Sequence, residues 1–197
     1  STARARAADS SSAAERLQRL TETLLKLSRM DSSAETPRER VDVKAVAERT
    51  VHLLAPLANQ RDVRVTTQLA EGCFITANED DIYQIIFNLA ENAVKYNVPS
   101  GSVLLRLYAQ DSRVVLTVED TGIGIPEEDL PNVFSRFYRV DKARSRAAGG
   151  SGLGLSIVHD AVTLHGGEIS IAPREGGGTC FTVSFPPAPP EGGEGNA

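Results

Sequence analysis

One stretch, Glu79 to Asn97, contains neither Pro nor Gly, and its apolar side chains recur with helical period. At about 100° per residue, Ile82, Ile85, Ile86, Leu89 and Ala93 fall on one side and Asn88, Asn92 and Lys95 on another, with Glu91 beside them. A solvated helix face is normally built from Glu, Lys, Arg and Gln, because Asn is a mediocre helix former. Two amides one turn apart, followed by an ammonium, instead make a directed polar row. Amide oxygens can ligate a hard cation such as Mg2+, and an ammonium meets phosphate as a point charge. Taken alone, a plain polar face that happens to hold two Asn explains the row equally well, so the rest of the chain must decide.

With 197 residues, 41% of them hydrophobic, the chain can form one domain with appendages and bury a real core. A net charge of −5 argues against a general nucleic-acid binder. Cys73 and Cys180 have no CxxC partner and no His at zinc-ligand spacing, which excludes a disulfide framework and suits a reducing compartment. No apolar run approaches the ~20 residues of a membrane-spanning helix, and no signal peptide opens the chain. The expected location is cytoplasmic. The first residue is Ser rather than Met, so the chain reads as a piece of a longer protein, possessed or not of a membrane segment upstream.

Residues 1–11 are small and polar and read as unstructured or as an added leader. Over 12–33, Leu17, Leu20, Leu24 and Leu27 form a stripe of about two heptads, too short to be stable alone. This helix wants a partner: a second copy, helices outside this chain, or the domain itself. Residues 34–40 read as a linker. Asp42 is placed to cap a helix whose core face is Val43, Val46, Ala47, Thr50, Leu54 and Leu57, and Pro56 should kink or end it. Strands are expected at 63–69, 74–77, 102–109 and 114–119. The last of these runs into Asp120-Thr-Gly-Ile-Gly-Ile-Pro126, where glycines let backbone approach a ligand closely. A basic stretch from Phe134 to Arg146 then reads as a mobile loop. Glycine-rich residues 150–154 precede an apolar-periodic helix, whose exposed N–H groups can bind an anion. Gly166-Gly167 ends that helix, two closing strands follow at 168–172 and 179–185, and 187–197 reads as a disordered tail. His52, His159 and His165 read as structural or solvated rather than catalytic.

The ordered parts are Asn-x-x-x-Asn-x-x-Lys-Tyr on a helix, Asp-x-Gly-x-Gly-Ile after a strand, Phe-x-x-Phe, Gly-x-Gly-x-Gly-Leu before a helix, and Gly-Thr before the last strand. The P-loop, dinucleotide and eukaryotic kinase signatures are missing. Over 41–186 the sequence resembles the ATP-binding catalytic domain of bacterial sensor histidine kinases. The resemblance implies an α+β fold, a two-layer Bergerat-type sandwich with a mixed sheet covered on one face by three helices and preceded by an α-helical segment. It implies Asn88 as the Mg2+ ligand, and Asn92, Lys95 and Tyr96 facing phosphate and ribose. Asp120 matches the acid that accepts from the adenine amino group, with Gly122, Gly124 and Ile125 along the base. Phe134 and Phe137 match lid anchors, and Tyr138 lies in the same lid. Arg139 resembles the lid cation near the γ-phosphate, so that Asn88, Lys95 and Arg139 carry the catalytic roles. Gly150, Gly152, Leu153, Gly154 and Leu155 match the turn that closes on the phosphates, and Thr179 the threonine beyond them.

In that family ATP and Mg2+ are bound, and the γ-phosphate passes to a histidine on a dimerisation helix of the same protein. A response regulator aspartate receives it next, and the full-length protein is a homodimer. Residues 12–33 resemble the second helix of the dimerisation hairpin. The acceptor box, a His followed by an acid and later a Pro, has no match here, so the chain is expected to bind Mg·ATP without phosphorylating itself. The rivals are an ATP hydrolase of the wider superfamily of gyrase, MutL and Hsp90, a non-catalytic nucleotide-binding scaffold, and a protein Ser kinase of the anti-sigma type. The hydrolases need a Glu general base where this chain has Asn88.

Overall fold

The computed structural model describes residues 37–140 and 154–191. The helix expected over 12–33 and the loop residues Gly150, Gly152 and Leu153 lie outside them. In chain order the elements are β1 (Glu39–Asp42), α1 (Val43–Gln60), β2 (Arg64–Leu69), β3 (Phe74–Ala77), α2 (Glu79–Lys95), β4 (Ser102–Gln110), β5 (Arg113–Asp120), a 3-10 helix (Glu127–Asn132), α3 (Gly154–Leu164), β6 (Glu168–Pro173) and β7 (Thr179–Phe185).

Five strands pair in the order β2-β4-β5-β7-β6. Only β2 and β4 are parallel; the other three pairings are antiparallel, which makes the sheet mixed. Alternation sends Val103, Leu105 and Leu107 of β4, Leu116 and Val118 of β5, and Phe181 and Val183 of β7 to one buried face. The three helices cover that face. The apolar stripe of α2, Ile82, Ile85, Ile86, Leu89 and Ala93, joins the same cluster, as do Val43 and Val46 of α1 and Val158, Ala161 and Val162 of α3. Leu89 is 1% exposed. Truncating a side chain so placed costs roughly 2–5 kcal/mol. A two-residue turn joins β4 to β5, with Asp111 at φ 51° and Ser112 at φ 57°, the doubly left-handed geometry that matches strand twist.

Helix ends follow their sequence signals. Asp42 Oδ1 accepts the Lys44 N–H at 3.0 Å. Asn78 caps α2 through the Asp81 N–H at 3.1 Å, and Glu79, Asp80 and Asp81 place negative charge in the first turn. At the end of α3 the Gly167 N–H reaches the Val162 carbonyl at 2.9 Å and the Gly166 N–H the Thr163 carbonyl at 3.0 Å, with Gly166 at φ +66°. This is a Schellman ending. His165, 7% exposed, joins two helix ends. Its Nδ1 lies 2.8 Å from the Ala161 carbonyl, and its Nε2 accepts the Asn78 N–H at 3.2 Å.

Three expectations need correction. Of the two outcomes expected at Pro56, a kink or an end, the end does not occur: α1 runs on to Gln60. Pro56 and His52, the residue whose carbonyl loses its helical partner, both lie on the exposed face, where water can serve that carbonyl. The linker expected over 34–40 gives way at Glu39 to β1, which pairs antiparallel with β3, Val41 opposite Ile75. These two strands form a small sheet of their own, so β3 stays out of the main one. The tail expected to be disordered from 187 takes a defined course to Glu191. The Ala188 N–H donates to the Phe74 carbonyl at 2.8 Å. Arg40 lies 4.2 Å above the Phe74 ring, donates to the Pro189 carbonyl, and pairs with Glu191 at 3.3 Å. Among the described residues no helix is long and apolar enough to cross a membrane.

Candidate functional site

The polar row stands on the flank of α2. Because the helix buries Ile85 and Leu89, Asn88 is held at a fixed height along it, half-buried. The Asn88 amide nitrogen donates to the Gln84 carbonyl at 2.8 Å. That bond orients the side chain and leaves Oδ1 without a donor among the described residues. Gly154, first residue of α3, lies over it: a Cβ there would come within 3.3 Å of Asn88 Oδ1. Asn92, one turn on, makes no side-chain hydrogen bond among the described residues and is half-buried. Lys95 pairs with Glu91 at 2.9 Å. No cluster of three or more His, Cys, Asp or Glu able to hold a metal occurs among the described residues. A divalent cation on this row would therefore take an amide oxygen and complete its shell from a ligand and water, a donor set that suits Mg2+.

Asp120 ends β5 and is 8% exposed. Its Oδ1 accepts the Gly122 N–H at 2.8 Å and the Thr179 N–H at 3.3 Å, while Oδ2 has no donor among the described residues. Burial pushes this carboxyl above its ordinary range; the two N–H donors and the charge of Arg174 oppose the shift. One oxygen is thus fixed and the other left free to accept from a ligand amine. The glycines around it are steric requirements. A Cβ on Gly122 would stand 2.5 Å from the Tyr96 carbonyl oxygen, and one on Gly178, at φ +100°, 1.9 Å from the Asp120 carbonyl oxygen. The Ile123 N–H donates to that same Tyr96 carbonyl at 3.1 Å. Gly124 is left-handed at φ +73°, Ile125 packs on the core, and Thr179 is buried.

After the 3-10 helix, Val133 is buried and Phe134 packs on the core, its ring 5.3 Å from that of His159. Arg136 reaches Asp160 of α3 at 3.5 Å. Phe137 departs from the anchoring role expected of it: it is 63% exposed with φ +64°, and Val133 takes the buried place instead. The apolar residues that hold this segment, Val133 and Phe134, are adjacent and lie beyond the 3-10 helix, and the left-handed backbone at Phe137 turns its ring outward. The Tyr138 hydroxyl donates to Asp129, which raises the phenol above its ordinary range. Arg139 buries Nε and Nη2 without a hydrogen-bond partner among the described residues. A buried cationic donor left unpaired is costly, and an anion is what would satisfy it. Leu155 packs on the core at the start of α3.

The structure thus brings Asn88 against Gly154 and Asp120 against Gly122 and Thr179, and joins Tyr96 to the Asp120 turn. Sequence reasoning passed over Asn97 and Thr121, whose side chains bond to each other at 3.1 Å between the two halves of the site. The one signal was a third Asn, directly after Tyr96, at a helix end where Asn is commonplace.

A mixed sheet with three helices on one face, a half-free buried Asp beside tight glycines and an amide row on the central helix define a nucleotide-binding domain of the Bergerat class. Residues 77–189 match the sequence model described as histidine kinase-, DNA gyrase B-, and HSP90-like ATPase. The chain belongs to that family, and its relatives place it with the catalytic domains of the histidine kinases. Sensor histidine kinase YkoH of Bacillus subtilis is 36% identical over 169 residues, 86% of this chain and 36% of that protein. A mycobacterial sensor histidine kinase structure, MprB, superposes with a TM-score of 0.65 at 28% identity, covering 76% of this chain and 97% of that one. Full-length ShkA in complex with AMPPNP gives 0.74 at 29% identity, covering 86% of this chain and 35% of that one. The chain spans about a third of the length of the curated relatives it matches.

Proposed function

We propose that this chain binds Mg·ATP and delivers its γ-phosphoryl group to a histidine on an upstream dimerisation helix, for relay to a response regulator aspartate. In the step, the bond from the γ-phosphorus to the bridging oxygen breaks, a phosphorus–nitrogen bond forms on the imidazole, and ADP leaves. The observation that carries the reading is Asp120, whose one carboxylate oxygen is pinned by two backbone amides while the other is free to accept the adenine amino group. Thr179, through its N–H, and Gly122 and Gly124 hold the base turn around it. Asn92, Lys95 and Tyr96 line the phosphate and ribose side, with Lys95 exchanging Glu91 for phosphate. Arg139 supplies two guanidinium nitrogens, Nε and Nη2, that have no hydrogen-bond partner among the described residues and that a γ-phosphate would satisfy. Phosphoryl transfer needs such positioning and charge neutralisation more than covalent chemistry. Asn88 Oδ1 is the proposed Mg2+ ligand; the ion would neutralise charge between the outer phosphates.

Asn88 also favours transfer over hydrolysis, since an amide cannot take a proton from water as a general base. ShkA binds AMPPNP, a non-transferable ATP analogue, which supports the same ligand here. We place the domain in the cytosol, within a homodimeric receptor. Residues 12–33, as part of the dimerisation hairpin, Gly150, Gly152 and Leu153, as part of the phosphate turn, and Phe137 and Tyr138, at the rim of the lid, complete the proposal. The test is calorimetric titration with ATP, with and without Mg2+, on the chain and on Asn88→Ala. Saturable binding whose Mg2+ dependence is lost in the variant is expected. Adding a helix that bears the acceptor histidine should then yield acid-labile phosphate. Steady phosphate release without any acceptor would favour a hydrolase and overturn the transfer reading.

A further inference from the structure

Asn97 lies just beyond the end of α2, and its carboxamide uses every hydrogen-bonding position it has. Nδ2 donates to the Ala93 carbonyl at 3.1 Å and to the Ser102 carbonyl at 3.0 Å. Oδ1 accepts the Val98 N–H at 2.9 Å and the Thr121 hydroxyl at 3.1 Å. A primary amide offers two donors and two acceptor positions, so nothing is left over for water or ligand. Thr121 completes the lattice by accepting the Ser102 N–H on its hydroxyl at 2.8 Å and donating its own backbone N–H to the Ser102 carbonyl at 3.1 Å. Gly101 is held to glycine by the same packing, because a Cβ there would stand 2.0 Å from Asn97 Oδ1.

Three segments meet at this one side chain. Ala93 belongs to the last turns of α2, which carry Asn92 and Lys95 and lead into Tyr96 at the C-cap. Ser102 opens β4. Thr121 directly follows Asp120, whose Oδ1 is in turn fixed by the next residue, Gly122. The phosphate half and the base half of the site are therefore joined through a fully satisfied amide. The network is half-buried, and polar networks withdrawn from water specify geometry when every member is paired.

We infer that Asn97 is a positioning residue for base recognition: through Thr121 it fixes the turn that holds Asp120 against α2, and so sets where the free carboxylate oxygen stands relative to the phosphate row. The inference rests on the nucleotide-binding reading above. Asn97 does not itself touch the ligand. Its effect is confined to the hydrogen bond that Asp120 makes, because a displacement of under 1 Å takes a 2.9 Å contact out of hydrogen-bonding range.

That confinement gives a readout that a purely structural role would not move. Inosine triphosphate has a carbonyl where adenine has its amino group, so its 6-position has no proton to donate to Asp120 and its affinity should depend little on the aim of that oxygen. Displacement of trinitrophenyl-ATP by ATP and by inosine triphosphate is measured on the whole chain, on Asn97→Ala and on Thr121→Val. Each substitution is expected to weaken ATP about tenfold to a hundredfold, the worth of one charge-assisted hydrogen bond, and to leave inosine triphosphate within about twofold. The Val variant removes only a hydroxyl and serves if the Ala variant does not fold. Equal weakening of both nucleotides, or an unchanged preference for ATP in a folded variant, overturns the inference alone. A wild-type chain that binds neither nucleotide overturns the proposed function and the inference together.

Discussion

Asp120→Asn separates what this carboxylate does for a ligand from what it costs the fold. An amide oxygen can keep both bonds now made by Oδ1, to the N–H groups of Gly122 and Thr179. The amide nitrogen then replaces Oδ2 and turns the free acceptor into a donor that faces the donor of an adenine amino group. Losing a charge-assisted hydrogen bond costs about 1.5–3 kcal/mol, and opposing two donors puts the expectation at the upper end, roughly a hundredfold in Kd. Stability should move the other way. Burial raises the Asp120 carboxyl above its ordinary value, so the native state holds this proton more tightly than the unfolded chain does. Its charge therefore opposes folding above the native pKa, and stability improves as pH falls through that value. The Asn variant carries no such charge. It should melt at or above the wild-type temperature at neutral pH, and the wild type should close the gap as the buffer is made acidic. Titration calorimetry reads the affinity and scanning calorimetry at the two pH values reads the stability. A variant that binds ATP as tightly as wild type would refute the role given to the free oxygen, and one that melts well below wild type at neutral pH would refute the desolvation argument.

Gly178→Ala should cost about 3 kcal/mol or more, since the added carbon meets the Asp120 carbonyl oxygen at 1.9 Å in a left-handed backbone; a urea titration measures it. Thr117→Val should stabilise by about 1 kcal/mol, because the Thr117 hydroxyl is buried with no hydrogen-bond partner among the described residues; the shift in urea midpoint checks the sign. His165→Phe leaves the Asn78 N–H without its acceptor and should destabilise by about 1–3 kcal/mol, seen as a lower melting temperature with nucleotide affinity retained in the folded protein. Arg139→Gln should weaken ATP roughly tenfold and leave adenosine unchanged, and equal loss for both ligands would contradict a phosphate role.

Sequence reading went furthest where a residue type is costly to explain in bland terms. Asn88 and Asn92 on a helix flank, and Asp120 ahead of two glycines, stood out because ordinary helix faces and strand ends do not need them. It failed where the deciding contact is remote in sequence. Glu39–Asp42 is short and mostly charged, and only the partner β3 makes it a strand. The proline-rich tail carries no periodicity, yet Arg40 and Phe74 give residues 187–191 a place to lie. Phe137 and Phe134 look equivalent in the sequence, and only the backbone at Phe137, with its positive φ, turns one of them outward. Pro56 was weighed by its missing N–H alone, whereas the solvent on its face makes that loss tolerable. Asn97 has no distinguishing mark except its four partners.

The short tail after β7 also bears on how these molecules behave at high concentration. An unpaired strand edge is a template on which a second chain can grow a sheet. β3 has one neighbour in β1, and its other side would be open were it not for Ala188, whose N–H takes the Phe74 carbonyl. Residues 186, 187, 189 and 190 are all Pro, so Ala188 supplies the one backbone donor of the run and spends it inward. Across 186–190 no second N–H remains to offer an arriving strand. The run thus caps the β3 edge at Phe74 and, over 186–190, brings no free N–H of its own, a local protection against aggregation built from five residues.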